Sequence, residues 1–298
     1  EEVEWNNNNK FIKEHGTRED RENSEYLLSE NQAGFREGRN STDPLFLLNE
    51  VIEQYYDKEK KVYVCFIDFK KAYDSIHRKA MIHILKKHIG ETEPKLWRMI
   101  DAMYEKTESR ARVGEELSEE FPIERGVKQG CTLSPLLFDI VMENITRALD
   151  RVTIGKKEER AKPGCWIKVR RKNKEGTKLE SKETLINNLM YADDLALVAE
   201  SKQQLQVLVD TTVKFGESMG MEVNIDKSKV VVFTKENTTN PKVTIKIGKE
   251  KVEQVKHFKY LGVWFSGNSK DRWGKHKKEV LKKLKRVVWS VRRLRLDK

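Results

Sequence analysis

The segment 185–199 constrains the fold of this chain more than any other stretch. Two apolar runs in it flank an adjacent pair of acids, Asp193 and Asp194. Each run has the length of a buried strand, and the acid pair is polar enough to form a tight turn between two strands. We therefore predict a β-hairpin with two carboxylates at its tip. Such a tip is either an exposed turn, where aspartate is common, or a divalent metal site, which would offset the cost of burying carboxylates.

A second run of strand-forming residues, 62–69, carries another acid, Asp68, near its end. Hard divalent cations such as Mg²⁺ take oxygen ligands. Carboxylates from two neighbouring strands can bridge a pair of these ions about 4 Å apart, which is the arrangement of two-metal phosphoryl transfer. Asp68 therefore favours the metal-site interpretation and predicts that the three acids meet.

The charge of the chain is unevenly distributed. Its 298 residues carry a net charge of +11, and residues 270–298 contain thirteen basic and three acidic residues. Residues 280–294 place apolar side chains on one helical stripe and basic side chains on the other faces, a pattern that predicts an amphipathic basic helix. Such a helix suits a polyanion such as nucleic acid. The alternatives are a solvated helix face and a helix lying on a membrane surface.

Composition limits the class of protein further. The length allows one large domain or two smaller ones, and an apolar content of 37% is too high for wholesale disorder. The three cysteines have no paired spacing, which predicts reduced core thiols and neither a disulfide framework nor a zinc site. No apolar run is long enough to span a bilayer, so we expect no membrane partner and an intracellular protein, nuclear or cytoplasmic.

A loop with two glycines at 32–42 precedes a predicted helix that starts at Asp43 and Pro44. Aspartate is a favoured helix cap, and proline is favoured at the first helical position. Arg36 and Arg39 project from the loop in a way that suits contact with phosphate or nucleic acid. An ordinary surface loop explains them equally well.

The remaining periodicity predicts alternating helices and hairpins. Helices are expected to start at Ser75, Pro94, Ser134 and Ser201, hairpins to lie in 108–124 and 155–182, and strands to lie at 230–233, 241–252 and 258–265, with a possible bulge at Gly262. The segment 155–182 is basic and could be a ribbon on a phosphate backbone or a surface insertion. The order of elements predicts an α+β fold, with helices on one face of a mostly antiparallel sheet.

Six stretches taken together resemble a reverse transcriptase of the non-LTR (LINE-type) retrotransposon kind. They are QAGFREGRNST at 32–42, FIDFKKAYDSI at 66–76, RGVKQGCTLSPLLF at 125–138, MYADDL at 190–195, MEVNIDKS at 221–228 and FKYLG at 258–262. They occur in the order and at intervals typical of that family. The resemblance implies a right-hand polymerase, with partial fingers and a lead-in at 1–60, a palm at 61–255, and a primer-grip hairpin with the start of a thumb at 256–298.

The resemblance also implies the roles of individual residues. Asp68, Asp193 and Asp194 would be the catalytic and metal-holding acids for two Mg²⁺ ions, with Mn²⁺ as a possible substitute. The nucleotide-binding residues would be Phe69, Tyr73, Gln129, Gly130, Lys227 and Arg36, with Tyr73 excluding a ribose 2′-hydroxyl. The residues that contact primer and template would be Arg39, Tyr191, Tyr260, Leu261, Gly262, Lys282 and Arg286.

By the same resemblance, the function would be RNA-directed DNA polymerisation, with an RNA template, a DNA primer and dNTPs as partners and with flanking domains of a larger polyprotein. The acidic lead-in at 1–30 has no match to the basic fingers sequence that such enzymes usually carry. Two alternatives therefore stay open: an inactive remnant that binds nucleic acid, and a maturase-like protein that binds structured intron RNA.

Overall fold

The computed structural model describes residues 32–34, 38–155, 160–172, 179–235, 241–268 and 272–296. The lead-in at 1–30, Arg36 and the predicted turn at 173–176 lie outside the described residues. The predictions made for them remain predictions, as does the division of the chain into three parts.

The helices of the described residues are α1 (Thr42–Asp57), α2 (Ala72–Ser75), α3 (Arg78–Ile89), α4 (Pro94–Tyr104), α5 (Ser134–Arg151), α6 (Lys202–Ser218) and α7 (Gly274–Leu296). The cap predicted at Ser201 is confirmed, because its side chain accepts a hydrogen bond of 3.2 Å from the Gln204 N–H. In the described part of the chain, no helix combines the length and the apolar character needed to cross a membrane.

One helix starts later than predicted. Ser75 closes the short α2, and α3 begins at Arg78. The intervening backbone is bonded to other segments: the His77 N–H donates to the Met219 carbonyl at 2.9 Å, and the Ile76 carbonyl accepts from the Gly126 N–H at 2.8 Å. These contacts between distant segments interrupt the helix that the local pattern favours.

The strands of the central sheet are β1 (Val62–Ile67), β9 (Asn188–Tyr191), β10 (Asp194–Ala199), β12 (Lys229–Phe233), β13 (Ile245–Ile247) and β14 (Glu250–Gln254). Paired elsewhere are β2 (Phe69–Lys70) with β11 (Glu222–Val223), β3 (Glu108–Ser109) with β6 (Phe121–Pro122), β4 (Arg112–Val113) with β5 (Glu116–Leu117), β7 (Cys165–Lys172) with β8 (Leu179–Ile186), and β15 (His257–Tyr260) with β16 (Val263–Ser266).

The central sheet has the strand order β13-β14-β12-β1-β10-β9. Its pairs are antiparallel except that of β12 with β14, which is parallel. Side chains alternate along β1: Val64 and Phe66 face one core, and Cys65 and Ile67 face the other. This alternation is what a strand with two covered faces requires.

Each face of the sheet has its own cover. Residues of α3, α5 and α6 form one core with it. The opposite face carries α1 and the hairpins β7–β8 and β15–β16. The predicted α+β class is confirmed, but the prediction that helices lie on one face is wrong, because apolar side chains of α1 pack on the second face of the sheet. The sheet is therefore covered on both faces, and the three acids lie at the end of the sheet where β1 stops and β10 starts.

Gly262 does not form the bulge suggested by its strand-like surroundings. Tyr260 pairs with Val263, so Leu261 and Gly262 form a two-residue turn between β15 and β16. Their φ angles are +45° and +87°, the left-handed pair that the twist of a short hairpin favours.

Candidate active site

The acid pair lies at a two-residue turn between β9 and β10. Tyr191 pairs with Asp194 in the register of these strands, so residues 192–193 form the turn, which we call the acid turn. Ala192 has a φ of +54°, a left-handed conformation that costs a residue with a Cβ about 1–2 kcal/mol. The predicted hairpin is confirmed, with Asp193 in the turn and Asp194 at the start of β10.

The register of the central sheet brings Asp68 to the same place. Ile67, the last residue of β1, pairs with Leu195 of β10 in an antiparallel register. Asp68 directly follows β1, and the same register, continued by one step, sets it opposite Asp194, the first residue of β10. Residues opposite each other in antiparallel strands have Cα atoms about 4.5–5.5 Å apart. Asp68, Asp193 and Asp194 therefore form one group, which we call the acid cluster.

A loop after β11 holds the backbone of Asp68. The Asp68 N–H donates to the Ser228 hydroxyl at 3.1 Å, and the Asp68 carbonyl accepts from the Asn224 N–H at 2.7 Å. Ser228 is itself bonded to the Asn224 carbonyl through its N–H and its hydroxyl, at 2.9 and 2.8 Å. The acid is thus fixed at both of its backbone groups by residues about 160 positions further along the chain.

Burial and mutual repulsion raise the pKa of two members of the acid cluster. Burial raises the pKa of Asp193, and the charge of Asp68 raises it further. Burial also raises the pKa of Asp194, with added repulsion from both other acids. Like charges that meet in a partly desolvated place disfavour ionisation unless a cation joins them.

Lys227 forms an ion pair with Asp68. Its Nζ lies 3.9 Å from Asp68 Oδ2, which is too far for a hydrogen bond. Asp68 Oδ2 is shielded from solvent and has no hydrogen-bond partner among the described residues. A buried carboxylate oxygen without a donor is a position that a cation can satisfy.

The acid cluster fits an open metal site better than a closed one. Within the described ranges, no three His, Cys, Asp or Glu side chains are arranged as a ready set of metal ligands. Mg²⁺ in phosphoryl-transfer sites keeps waters and takes only one or two carboxylates, the substrate phosphates supplying further oxygens. The carboxylate donors, the orphaned oxygen of Asp68 and the raised pKa values together suit such an ion.

Tyr73 forms a rigid side to the site. Its ring stacks on Phe138 with centroids 4.1 Å apart and planes 11° from parallel. Its hydroxyl is shielded from solvent without a hydrogen-bond partner in the described part of the chain. Burial raises the pKa of Tyr73, and the charges of Asp139 on α5 and Asp193 in the acid turn raise it further.

Gln129 and Gly130 lie in the exposed loop before α5. The Gln129 amide donates to Asp74 Oδ1 at 2.8 Å, and Gly130 has a φ of +79°. Asp74 belongs to α2, the helix that carries Tyr73. The two predicted nucleotide-binding segments are therefore joined by a direct side-chain contact.

A cleft of about 490 Å³ lies beside Phe69, the residue that follows Asp68, and is lined in part by Lys227. Lys70, Lys71, Arg125 and Lys227 contribute cations to its wall, and Asp74 and Glu222 contribute acids. Lys70 is paired with Glu222 at 2.5 Å, and Lys227 lies 3.9 Å from Asp68. Sequence reasoning missed Lys71 and Arg125, although each lies within a stretch that carried the family resemblance.

Two predicted contact residues are buried. Phe69 is a core residue of β2 that pairs with Val223. The small exposed part of its side chain lines the cleft. Tyr260 is 2% exposed, and its hydroxyl donates to the Leu189 carbonyl at 3.2 Å. Its side chain therefore holds the β15–β16 hairpin against the sheet, which corrects its predicted contact with a primer. For the positive-φ turn at Leu261 and Gly262, the predicted contact with primer and template stays a prediction.

Of the other predicted contacts, Tyr191 flanks the acid turn, whereas Arg39, Lys282 and Arg286 lie far from the acids in the chain. Tyr191 is partly exposed at the end of β9. Arg39 lies at the start of α1, with its guanidinium 3.9 Å from Asp43. Lys282 and Arg286 are exposed on α7 and share a shallow groove with Lys278, Lys285 and Trp289.

Sequence reasoning also missed a buried polar pair. Gln32 and Asp139 are each 0% exposed, and the Gln32 amide donates to Asp139 Oδ1 at 3.3 Å. The available signal was Asp139 itself, an acid among the apolar positions of α5, since charged residues are rarely buried without partners.

The segment that contains the residues of this site matches a known protein family. The sequence model of the family described as reverse transcriptase (RNA-dependent DNA polymerase) matches residues 19–265. The retrovirus-related Pol polyprotein of a type-2 retrotransposable element from Drosophila melanogaster is 27% identical over 258 residues, covering 84% of this chain and 22% of the relative. The RNA-directed DNA polymerase from mobile element jockey of Drosophila funebris is 25% identical over 239 residues, covering 78% and 22%. The chain spans about a fifth of the length of these relatives.

Solved structures give a likeness of fold. The telomerase of Candida albicans, in complex with a fragment of telomeric RNA, has a TM-score of 0.54 and 12% identity over 83% of this chain and 35% of that chain. The telomerase of Candida tropicalis, also with an RNA fragment, has a TM-score of 0.52 and 12% identity over 80% and 33%. The predicted α+β polymerase fold is confirmed by these neighbours.

Proposed function

Because the chain belongs to the reverse transcriptase family, we propose that it is the polymerase core of a non-LTR retrotransposon enzyme. It extends the 3′-hydroxyl of a DNA primer with dNTPs on an RNA template. The observation that carries the proposal is the register of β1 with β10, in which Asp68 follows Ile67 and faces Asp194 beside the acid turn. Such a group of carboxylates next to a cationic cleft serves nucleotidyl transfer, whereas a module that only binds a phosphate backbone has no need for it.

The acids would hold two Mg²⁺ ions, or Mn²⁺ in their place. Asp68 and Asp193 are the proposed ligands, and Asp194 is the third acid of the cluster. The chemistry supplied by bound ions would be a lowered pKa of the primer hydroxyl and neutralisation of the charge on the triphosphate. The protein's own part is to keep three carboxylates together against their repulsion, which it does with the sheet register and the Ser228 contact.

Tyr73 and Lys227 are proposed to act on the nucleotide. Tyr73, held flat against Phe138, would exclude a ribose 2′-hydroxyl by its bulk, so that DNA is made. Lys227, close to Asp68 and on the wall of the cleft, would stabilise the negative charge of the leaving pyrophosphate. Gln129 and Gly130 would border the nucleotide from the loop before α5.

The basic α7 and its groove are proposed to contact the phosphate backbone of the template and primer. Lys282 and Arg286 lie one helical turn apart on its exposed surface, which suits successive phosphates. The relatives are polyproteins several times longer than this chain, so we propose that flanking domains accompany it.

Primer extension tests this function. Purified protein is given a DNA primer annealed to an RNA template, dNTPs and Mg²⁺, and the wild type is compared with Asp193→Ala. The exposed acid Asp210 on α6 provides the matched control, Asp210→Ala. We expect extension by the wild type and by the control but not by Asp193→Ala, with template–primer binding unchanged in all three.

Other outcomes identify the alternatives. Tight binding without extension by any variant, in Mg²⁺ or Mn²⁺, would contradict the polymerase and support a nucleic-acid-binding remnant. Binding restricted to structured intron RNA would support a maturase-like protein.

A further inference from the structure

The acid turn is held from outside its own hairpin by the side chain of Gln32. The Ala192 N–H donates to Gln32 Oε1 at 3.2 Å, and the Gly34 N–H donates to the same oxygen at 3.0 Å. The backbone around Gln32 runs beside β9, where the Ala33 N–H donates to the Met190 carbonyl at 3.0 Å. A residue 160 positions away thus supplies the acceptor for the first peptide N–H of the turn.

The turn has a physical need for this acceptor. Ala192 is 6% exposed, so its N–H has little access to water, and leaving a buried donor unsatisfied costs about 1–3 kcal/mol. Its positive φ is also unfavourable for alanine, because short hairpin turns prefer glycine or asparagine there. The Gln32 oxygen therefore compensates a conformation that the local sequence does not favour.

The position of Gln32 is itself well determined. Its oxygen faces two N–H donors and its amide nitrogen faces Asp139 Oδ1 at 3.3 Å, so the partners decide the orientation of the amide. A Cβ on Gly34 would lie 2.4 Å from the Ala192 nitrogen. Only glycine allows the segment to approach the acid turn this closely.

Asp139 extends the contact to the other side of the site. It lies on α5, next to Phe138, whose ring supports Tyr73. Its charge raises the pKa of Tyr73, after the larger effect of burial. One chain of side-chain contacts therefore joins the acid turn, Gln32 and α5 to the ring that flanks the site.

We propose that Gln32 is a positioning residue of the polymerase site. Its buried amide sets the acid turn relative to α5, and so sets Asp193 and Asp194 relative to Asp68 and Tyr73. The proposal rests on the function proposed above. It assigns a role to the glutamine of the loop segment, separate from any contact that the neighbouring arginines make with phosphate.

The first test compares Gln32→Leu with Gln54→Leu. Gln54 is a matched control, because its amide also joins two elements: it donates to Glu50 and to the Lys168 carbonyl, both at 2.8 Å, and accepts from the Lys168 N–H at 2.9 Å. It joins α1 to β7, away from the acid turn. Both variants should lose thermal stability. Only Gln32→Leu should speed amide hydrogen exchange at Ala192, by about tenfold or more, as expected for loss of about 1.4 kcal/mol of protection.

Kinetics provide the second readout. Gln32→Leu should lower kcat of primer extension by about 10- to 100-fold, because displacements of about 1 Å have that effect on a reacting centre. The KM for template–primer should be unchanged. The kcat of Gln54→Leu, expressed per folded molecule, should equal that of the wild type.

A charge-exchange pair keeps the proposal falsifiable if Gln32→Leu does not fold. Gln32→Glu sets a carboxylate against Asp139 and should lose activity. Adding Asp139→Asn returns an amide donor to the contact and should restore kcat to within a few-fold of the wild type. Failure of rescue in a folded double variant would overturn the positioning role.

The outcomes separate this proposal from the function on which it rests. If the wild type does not extend primers but Gln32→Leu speeds hydrogen exchange at the Ala192 amide, the polymerase assignment fails. The conclusion that Gln32 holds the acid turn then still stands. If the wild type extends primers and Gln32→Leu changes neither the exchange nor kcat, the polymerase assignment stands and Gln32 does not position the acids.

Discussion

The ring of Tyr73 lies flat on the ring of Phe138, with centroids 4.1 Å apart. Phe138 is fully buried at the start of α5, whereas Tyr73 is only partly buried on α2. The Phe138 ring therefore fixes the Tyr73 ring at the edge of the site. If Tyr73 selects the sugar of the nucleotide, Phe138 decides how firmly it can do so.

We predict that Phe138→Leu relaxes selection against ribonucleotides. Loss of the flat support lets the Tyr73 ring tilt, so incorporation of rNTPs relative to dNTPs should rise several-fold, as the ratio of kcat/KM values measures. Phe215→Leu, in another buried position of the same core, should cost similar stability without changing this ratio. Equal ratios in both variants would contradict the support role of Phe138.

A second prediction concerns Asp194 and pH. Because burial and repulsion raise its pKa in the folded protein, the folded state binds the proton more tightly than the unfolded chain does. The penalty is absent below the unfolded pKa of about 3.9 and develops as pH rises through the raised folded pKa. Asp194→Asn should therefore raise Tm at neutral pH by a few degrees, and the gain should vanish in acid.

Bound Mg²⁺ should reverse the order of the Tm values of the wild type and Asp194→Asn. An ion that binds only the folded protein stabilises it by mass action, so Mg²⁺ should raise the Tm of the wild type more than that of Asp194→Asn. The control is Asp210→Asn, at the exposed acid on α6, which should leave both responses unchanged. Equal Mg²⁺ responses in wild type and Asp194→Asn would argue against an ion at the acid cluster.

A third prediction concerns Ser228, which is buried and accepts the Asp68 N–H at 3.1 Å. Ser228→Ala leaves that donor without its acceptor, at a cost of about 1–3 kcal/mol. It should also lower kcat about tenfold, since Asp68 loses its anchor. Ser218→Ala removes a buried hydroxyl that bonds within α6, to the Phe215 carbonyl at 2.7 Å. That variant should lose stability but retain kcat, and a similar kcat for the two would refute the anchor.

A fourth prediction concerns the exposed basic surface of α7. Replacing Lys282 and Arg286 together by glutamine should weaken template–primer binding and make it less sensitive to salt. The slope of log K against log salt should fall by about two, because each lost phosphate contact removes about 0.9. The same change at the exposed Lys249, just before β14, and Lys251, within it, gives a variant with the same net charge and should leave the slope unaltered. A slope that changes equally in both pairs would indicate a diffuse charge effect.

Local pattern alone determined much of this architecture. The apolar runs around the acid pair predicted a hairpin, and the cap at Ser201 predicted the start of α6, because strand and helix periodicities and capping hydrogen bonds involve neighbours in the chain. The three acids were found by the same means. Their residue types and strand-end positions indicated divalent-metal chemistry before any tertiary contact was known.

Only the tertiary structure decided how those elements are held and which side chains are open. Tyr260 is buried against Leu189, α3 starts late because His77 is bonded to Met219, and Gln32 reaches the acid turn from 160 positions away. Each depends on hydrogen bonds between segments that no local periodicity couples. A buried polar group must find a partner wherever the fold supplies one, so its partner is a property of the packed chain.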